Sequence, residues 1–256
     1  MRFASLGSGS KGNAWLVESG TTRVMLDCGF GVREAQARLA RLGLQAGDLD
    51  AILLSHEHSD HVRGALALAR HADCPLWATH GCLAMLDALA PGIEAACRIT
   101  DGQEAFEIDD LCIEPYPVPH DAREPVQYVV GDGRHRWGLL TDAGHVTAHM
   151  QRMLEGCDAL AIECNHDIAL LQAGRYPPAL KARILGRFGH LDNAAAAALL
   201  ASVRHDRLQH VVAAHLSEEN NSPDLARAAL AGALACAPDW VDVADQADGL
   251  GWRDII

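Results

Sequence analysis

The segment Ser55-His56-Glu57-His58-Ser59-Asp60-His61 places His56, His58, Asp60 and His61, four potential metal ligands, within six residues. It follows an apolar run at residues 51–54 that reads as a buried strand. In a strand-to-helix turn, alternate residues His56 and His58 project to one side. Asp60 and His61 then swing round onto the start of the helix. One short segment can therefore offer imidazoles to one metal ion and an Asp/His pair to a second. Imidazole nitrogens and a carboxylate suit Zn²⁺, Mn²⁺ or Fe²⁺ better than Ca²⁺ or Mg²⁺. A solvated, histidine-rich turn is the plain alternative. With 14 histidines in 256 residues, chance His pairs are expected. An H-x-H-x-D-H pattern at the end of a strand is not.

Three further residues stand where α/β proteins place chemistry, directly after a buried strand. His120 follows Pro117-Val118-Pro119, Asp142 follows Leu139-Leu140-Thr141, and His215 follows Val211-Val212-Ala213-Ala214. Each alone could be an ordinary packed or capping residue. Together with the first segment they supply the donors that two ions still lack. A Gly/Ser loop at residues 7–13 brings Ser8, Ser10, Lys11 and Asn13 as donors among glycines. Such a loop can cradle a phosphate, and it also fits an ordinary hairpin turn.

The elements that must position these groups alternate between short strands and helices. Strands are expected at 2–6, 14–18, 23–27, 51–54 and 76–78. Helices are expected at 32–42, 62–71 and 81–89, the last stopped by Pro91. A strand series follows at 98–100, 105–108, 111–115, 126–130 and 137–141. The C-terminal part reads as strands at 159–163 and 210–214, with helices at 147–154, 178–188, 192–203 and 222–236. Ser222-Pro223 is a good N-cap and first-turn pair. Without a linker, a low-complexity tract or a long-range repeat, this is one α/β domain over residues 1–256. Its expected architecture is two mixed sheets packed face to face with helices outside.

Composition narrows the function classes. Hydrophobic residues make up 49% and charged residues 21%, which excludes a disordered chain. The net charge is −13, from 21 basic and 34 acidic residues, so bulk electrostatic coating of nucleic acid is excluded. Any polyanionic substrate must be held by local features, with Lys11, Arg123, Arg175, Lys181, Arg183 and Arg187 as candidates. The eight cysteines form no C-x-x-C pair, and their spacing suggests reduced thiols rather than a disulfide framework. The first residues contain no apolar signal region, and the longest aliphatic run, at 194–201, is eight residues. A membrane span needs about 20. The expectation is a cytoplasmic protein with no membrane partner.

The H-x-H-x-D-H segment, followed in order by a strand-end His, Asp and His, resembles the metallo-β-lactamase superfamily across nearly the whole chain. Within it the sequence is similar to the YycJ/WalJ-like hydrolases, through residues 5–13, 26–29, 163–167, 186–191 and 215–221. The resemblance implies a four-layer αββα sandwich with a binuclear centre along one edge. It implies that His56, His58 and His120 hold one metal, that Asp60, His61 and His215 hold the other, and that Asp142 bridges them. Two ions about 3.5–4 Å apart can share a hydroxide nucleophile and clamp a phosphoryl oxygen. Zinc or manganese is expected, with iron as the third option. Asp27, at a strand end, is a candidate acceptor for the outer N–H of a ligand histidine.

The implied activity is that of a metal-dependent nuclease, with DNA favoured over RNA and digestion from 5′ to 3′. Asp60 and Asp142 are the catalytic carboxylates. His166 and His190 are candidates for contact with the substrate phosphate or leaving group. Ser8, Ser10, Lys11, Asn13, Asn165, Ser217, Asn220 and Asn221 are candidate substrate contacts. His145 departs from the family's tendency toward an aromatic there and is given no role. A hydrolase of a small substrate, a cyclic phosphodiester, a thioester or a lactone, is the alternative, and the acidic surface suits it. The stretch between Asp142 and His215 is too short for the inserted domain of β-CASP nucleases. A sheet-edge homodimer is left open.

Overall fold

The computed structural model describes residues 1–89 and 97–256. The first half of the chain builds one seven-stranded mixed sheet and the second half another. The first sheet contains β1 (Arg2–Gly7), β2 (Ala14–Ser19), β3 (Thr22–Leu26), β4 (Ala51–Leu53), β5 (Leu76–Ala78) and β6 (Cys97–Ile99). The second contains β7 (Phe106–Ile108), β8 (Leu111–Pro117), β9 (Val126–Gly131), β10 (Arg136–Leu140), β11 (Ala159–Glu163), β12 (His210–Ala214) and β13 (Asp242–Val243). The C-terminal strand β14 (Leu250–Asp254) crosses back to pair antiparallel with β1 and completes the first sheet. β3 to β6 run parallel to one another, as do β10 to β13.

Side-chain alternation sets the layers. Val24, Leu26, Ala51 and Leu53 point between the sheets, where they meet Trp137, Leu139, Ala159, Ala161, Val212 and Ala214. The residues between them, Met25 and Ile52, face outward. They pack under α1 (Val32–Arg41), α3 (Ala65–Ala72) and α4 (His80–Leu89). On the second sheet Leu140, Leu160, Ile162, Val211 and Ala213 face the other way. They pack under α5 (Ala148–Leu154), α8 (Asn193–Val203) and α9 (Pro223–Leu234). Strands covered on both faces must be apolar at every position, which explains why these runs look continuous in sequence. The result is the expected αββα sandwich. Among the described residues no helix is long and apolar enough to cross a membrane, and all eight cysteines are free.

Three helical elements differ from the sequence reading. The helix expected at 62–71 is two pieces, α2 (Ser59–Val62) and α3, separated at Gly64. A Cβ at Gly64 would strike the carbonyl of Phe30, so the chain turns there to let the β3–α1 loop pass. The helix expected at 178–188 is α7 (Pro178–Ile184) and stops short. His190 N–H bonds back to Ile184 O at 3.0 Å, and a Cβ at Gly189 would collide with that carbonyl. The short helix α6 (Ile168–Ala173), capped by Asp167 on Leu170 N–H, was not expected because only Leu171 is buried on it. The expected stop at Pro91 lies outside the described residues.

Three loops lock together at one edge of the sandwich. Asn13 N–H bonds to Asp60 O at 2.8 Å, Cys28 N–H to His61 O at 2.7 Å, and Gly29 N–H to Asn13 O at 2.9 Å. Gly29 sits so close to Asp60 O and Gly12 Cα that no side chain fits. Gly29→Ala is expected to destabilise the protein by about 1–3 kcal/mol, the usual cost of overpacking a tight contact. Urea unfolding checks this, and an unchanged midpoint would show that the three loops are not tightly coupled.

Candidate active site

The seven candidate ligands, with Asp27 and Glu163, lie at or just beyond the C-terminal ends of strands, along one edge shared by both sheets. Asp27 follows β3, the segment 55–61 follows β4, His120 follows β8, Asp142 follows β10, Glu163 ends β11 and His215 follows β12. Asp27, Asp142 and His215 adopt left-handed backbone, with φ of 61°, 57° and 55°. Left-handed conformation costs a non-glycine residue roughly 1 kcal/mol or more, and such strain clusters at functional sites. Here the turn ends each strand at once and throws the side chain across the edge.

The structure brings the seven candidate ligands together. The ligand atoms of His56, His58 and His120 lie within 4.8 Å of one another, and so do those of Asp60, His61 and His215. Asp142 lies between them, with Oδ2 at 3.2 Å from His61 Nε2 and Oδ1 at 3.6 Å from His215 Nε2 and 3.9 Å from His120 Nε2. His56 Nε2, Asp142 Oδ2 and His215 Nε2 are buried with no hydrogen-bond partner among the described residues. Stranded polar atoms of this kind are costly, and cations held between these groups would relieve them.

The outer nitrogens are already engaged, which leaves the inner ones as donors. His61 Nδ1 lies 2.8 Å from Asp27 Oδ2, His56 Nδ1 2.9 Å from Ser55 Oγ, and His120 Nδ1 3.1 Å from Gly189 O. Ser55 in turn donates its hydroxyl to Asp27 at 2.7 Å. His215 Nδ1 lies 3.3 Å from Glu163 Oε1. Charge divides the set. Burial, reinforced by the neighbouring imidazoles, pushes His56 and His120 below the usual histidine range, so they present neutral lone pairs. Burial also opposes charge on His61 and His215, but the surrounding carboxylates, Asp142 foremost, override it. They raise His61 well above its ordinary value and His215 to about 10. Asp142 is buried too, yet His215 and His61 hold its carboxyl well below the carboxylate range.

Glu163 was not singled out by sequence and is central here. Its Oε1 accepts from His190 Nδ1 at 2.7 Å and reaches His215, while Oε2 accepts from the N–H groups of Ala143 and Leu191. Burial would raise its pKa, but His190 and His215 bring it down to about 2. The available signal was a glutamate closing the otherwise apolar strand Ala-Leu-Ala-Ile-Glu.

A cleft of about 380 Å³ opens over the centre. Of the candidate substrate contacts, Ser10, Asn165, His190 and Ser217 line it, together with Tyr176 and Arg183. The others are placed elsewhere, and packing explains each. Ser8 is buried, donates to Asn13 Oδ1 and accepts the N–H of His215 at 2.9 Å. Asn13 donates to Gly9 O at 3.0 Å. Lys11 points outward to Glu218. Asn220 donates to Ser217 Oγ, and Asn221 donates to Cys164 O and Asn193 Oδ1. His166 lines a separate cavity on the far side of His190. Of the candidate cationic side chains only Arg183 lines the cleft, and its Nε is paired with Asp121.

Fold and site together define the class. A family profile described as Beta-lactamase superfamily domain matches residues 22–215, and the chain belongs to the metallo-β-lactamase superfamily. Within it, the chain is 34% identical over 240 residues to a protein named Exodeoxyribonuclease YycJ from Bacillus anthracis, covering 91% of this chain and 89% of the relative. Among solved structures, the metallo-β-lactamase fold protein YhfI from Bacillus subtilis superposes with a TM-score of 0.75 at 16% identity, covering 98% of each chain. Zn²⁺-bound PqqB from Methylobacterium extorquens superposes with a TM-score of 0.71 at 20% identity, covering 99% of this chain and all of that one, and it shares the fold.

Glu163→Gln supplies one acceptor oxygen where the carboxylate supplies two and aims an amide N–H at existing donors. A loss of about 1–3 kcal/mol in unfolding free energy is expected, the cost of leaving a buried polar group unpaired. Chemical denaturation measures it, and wild-type stability would contradict the hydrogen-bonding role.

Proposed function

We propose that this chain is a binuclear metal-dependent phosphodiesterase that digests DNA as an exonuclease from the 5′ end. The observation that carries the reading is the convergence of two three-donor groups on one shared carboxylate, with a glutamate-held imidazole beside them. The donor chemistry fits two divalent ions, zinc or manganese, with iron as the third option. His56, His58 and His120 would hold one, Asp60, His61 and His215 the other, and Asp142 both. When bound, such a pair supplies a nucleophilic hydroxide at neutral pH and neutralises charge developing on a phosphoryl group.

The chain's own residues do the rest. His190 donates Nδ1–H to Glu163, which fixes its tautomer and leaves Nε2 as its free ring nitrogen. Burial alone would lower its pKa, but Glu163 raises it, which favours a proton on the ring. That proton is available for the leaving oxygen as the P–O bond breaks. Arg183 adds positive charge at the rim, and Ser10, Asn165 and Ser217 offer neutral donors for phosphate oxygens.

Two further observations favour a strand end over internal duplex. The cleft is small, and the chain's acidity disfavours a long electrostatic footprint. The relatives named exodeoxyribonucleases, similar over nearly their whole length, point the same way.

The test is metal content per chain, followed by digestion of 5′- and 3′-labelled single- and double-stranded DNA with Mn²⁺. Release of mononucleotides from the 5′ end is expected, falling to background in Asp142→Ala together with loss of bound metal. His190→Gln should keep its metal and lose about 10²–10⁴ in kcat on DNA. It should lose far less on bis(p-nitrophenyl) phosphate, whose leaving group needs no proton. Two bound ions with no cleavage of any nucleic acid would overturn the nuclease reading.

A further inference from the structure

Behind His190 lies a second cavity of about 320 Å³ that the chemistry above does not use. Leu185, Leu191, Ala195 and Leu199 form apolar walls, and His145, Gln151, His166 and Asp192 place polar groups along it. His190 is the residue that lines both this cavity and the catalytic cleft. Its ring lies 5.4 Å from His215 and 5.2 Å from His120, centroid to centroid.

His166 is the unusual member. It is 1% exposed. Its Nδ1 faces Asn165 Oδ1 at 3.3 Å, while Nε2 is buried without a partner among the described residues. An imidazole nitrogen left unpaired beside a cavity is an unmet hydrogen bond that a ligand can complete.

The lining restricts the ligand. An anion is disfavoured, because the Asp192 carboxylate stands in the wall and already caps the first N–H groups of α8, those of Ala194 and Ala195. A metal ion is disfavoured too, since none of the clustered donor groups among the described residues includes His166. Aliphatic walls with hydrogen-bonding groups at the edge suit a flat, uncharged heterocycle.

We propose that this cavity is a nucleobase subsite, which receives the base of the nucleotide whose phosphate sits at the catalytic centre. The assignment rests on the phosphodiesterase reading, because that reading puts a nucleotide there. One sugar separates base from phosphate in a nucleotide, and the two spaces here share His190 in their walls. The aliphatic walls pack against the base, and His166 Nε2 bonds its polar edge. The enzyme would thereby grip each terminal nucleotide as a unit, without needing a basic surface.

Ala198, partly lining the cavity from the exposed side of α8, is the place to block it. Metal-free protein would be titrated with the four deoxynucleosides, which carry a base and no phosphate, while the histidine ring nitrogens are followed by ¹H–¹⁵N spectroscopy. The His166 Nε2 resonance is expected to shift, and the shift to vanish in Ala198→Trp, with circular dichroism confirming the fold. In turnover, Ala198→Trp should lower kcat/KM on an oligodeoxynucleotide about tenfold, the scale of one lost base contact. Bis(p-nitrophenyl) phosphate, which has no base, should be hydrolysed at the wild-type rate. An oligonucleotide abasic at the cleaved position should show the same loss with wild-type enzyme and no further loss with the variant. Absence of any His166 shift, with natural and abasic strands cleaved in the same ratio by variant and wild type, would overturn the subsite. A His166 shift in a protein that cleaves no nucleic acid would support the subsite and refute the nuclease.

Discussion

Negative charge buried without lysine or arginine is the constraint around which this molecule is arranged. Asp27, Asp142 and Glu163 are each almost wholly buried, and Asp60 stands beside them. Their charged partners in the centre are histidines. A buried carboxylate is tolerable only when paired and fully hydrogen-bonded. Asp27 meets this through Ser55 and His61, and Glu163 through His190, His215 and two backbone N–H groups. Asp142 does not, since one of its oxygens is left without a hydrogen bond. The deficit falls at the point where the two ligand groups meet, and cations bound there would remove it.

The fold supplies that concentration of charge by ending strands abruptly. An α/β sheet offers its strand ends as a natural crevice. Two sheets packed face to face offer two rows of them along a common edge. The seam is fixed by bonds that cross between sheets: Tyr128 Oη donates to Leu54 O at 2.7 Å, and Val126 N–H to Ser55 O at 3.0 Å. The left-handed turns at Asp27 and His215 are then held by their own amides. Asp27 N–H reaches Leu53 O, and His215 N–H reaches Ser8 Oγ. Aspartate and histidine tolerate this backbone better than most residues. The buried hydroxyl of Ser8 is what holds His215. The Gly/Ser loop therefore acts as scaffold at Ser8 and Asn13, and reaches the cleft only at Ser10.

Much of this was legible in sequence, and the pattern of what was not is physical. β11 and β12 match their expected limits residue for residue, because strands buried on both faces have apolar runs with sharp polar ends. β13 and β14 were missed, since both are edge strands whose half-exposed residues carry no period and whose existence depends on pairing with β12 and β1. The ligand histidines could be read because metal chemistry dictates residue type and local spacing. Ser55, Asp121 and Glu163 could not, because they act through distance in space. A carboxylate that orients an imidazole 27 positions away leaves no local signature. The candidate substrate contacts were read least well, since an asparagine that ties loops together and one that meets a phosphate look alike in a sequence. Asn221, bridging Cys164 and Asn193, is the first kind, and Asn165, facing the cleft, is open to the second.

The acidity of the chain then becomes informative. A net charge of −13 repels a polyanion at long range, and the one arginine in the cleft is partly neutralised by Asp121. Attraction must therefore arise at short range, where bound cations and oriented dipoles outweigh a distant surface charge screened within about 10 Å at 0.1 M salt. Such an enzyme gains little from sliding along duplex and more from a terminus that can enter a small cleft. The same geometry explains why apolar walls beside the centre are useful. Where phosphate contacts are few, the base is the remaining handle on a nucleotide, and packing it does not depend on salt. On the proposed function, specificity for a chain end and a sparse positive surface are two consequences of one design, in which the positive charge would be concentrated on bound cations.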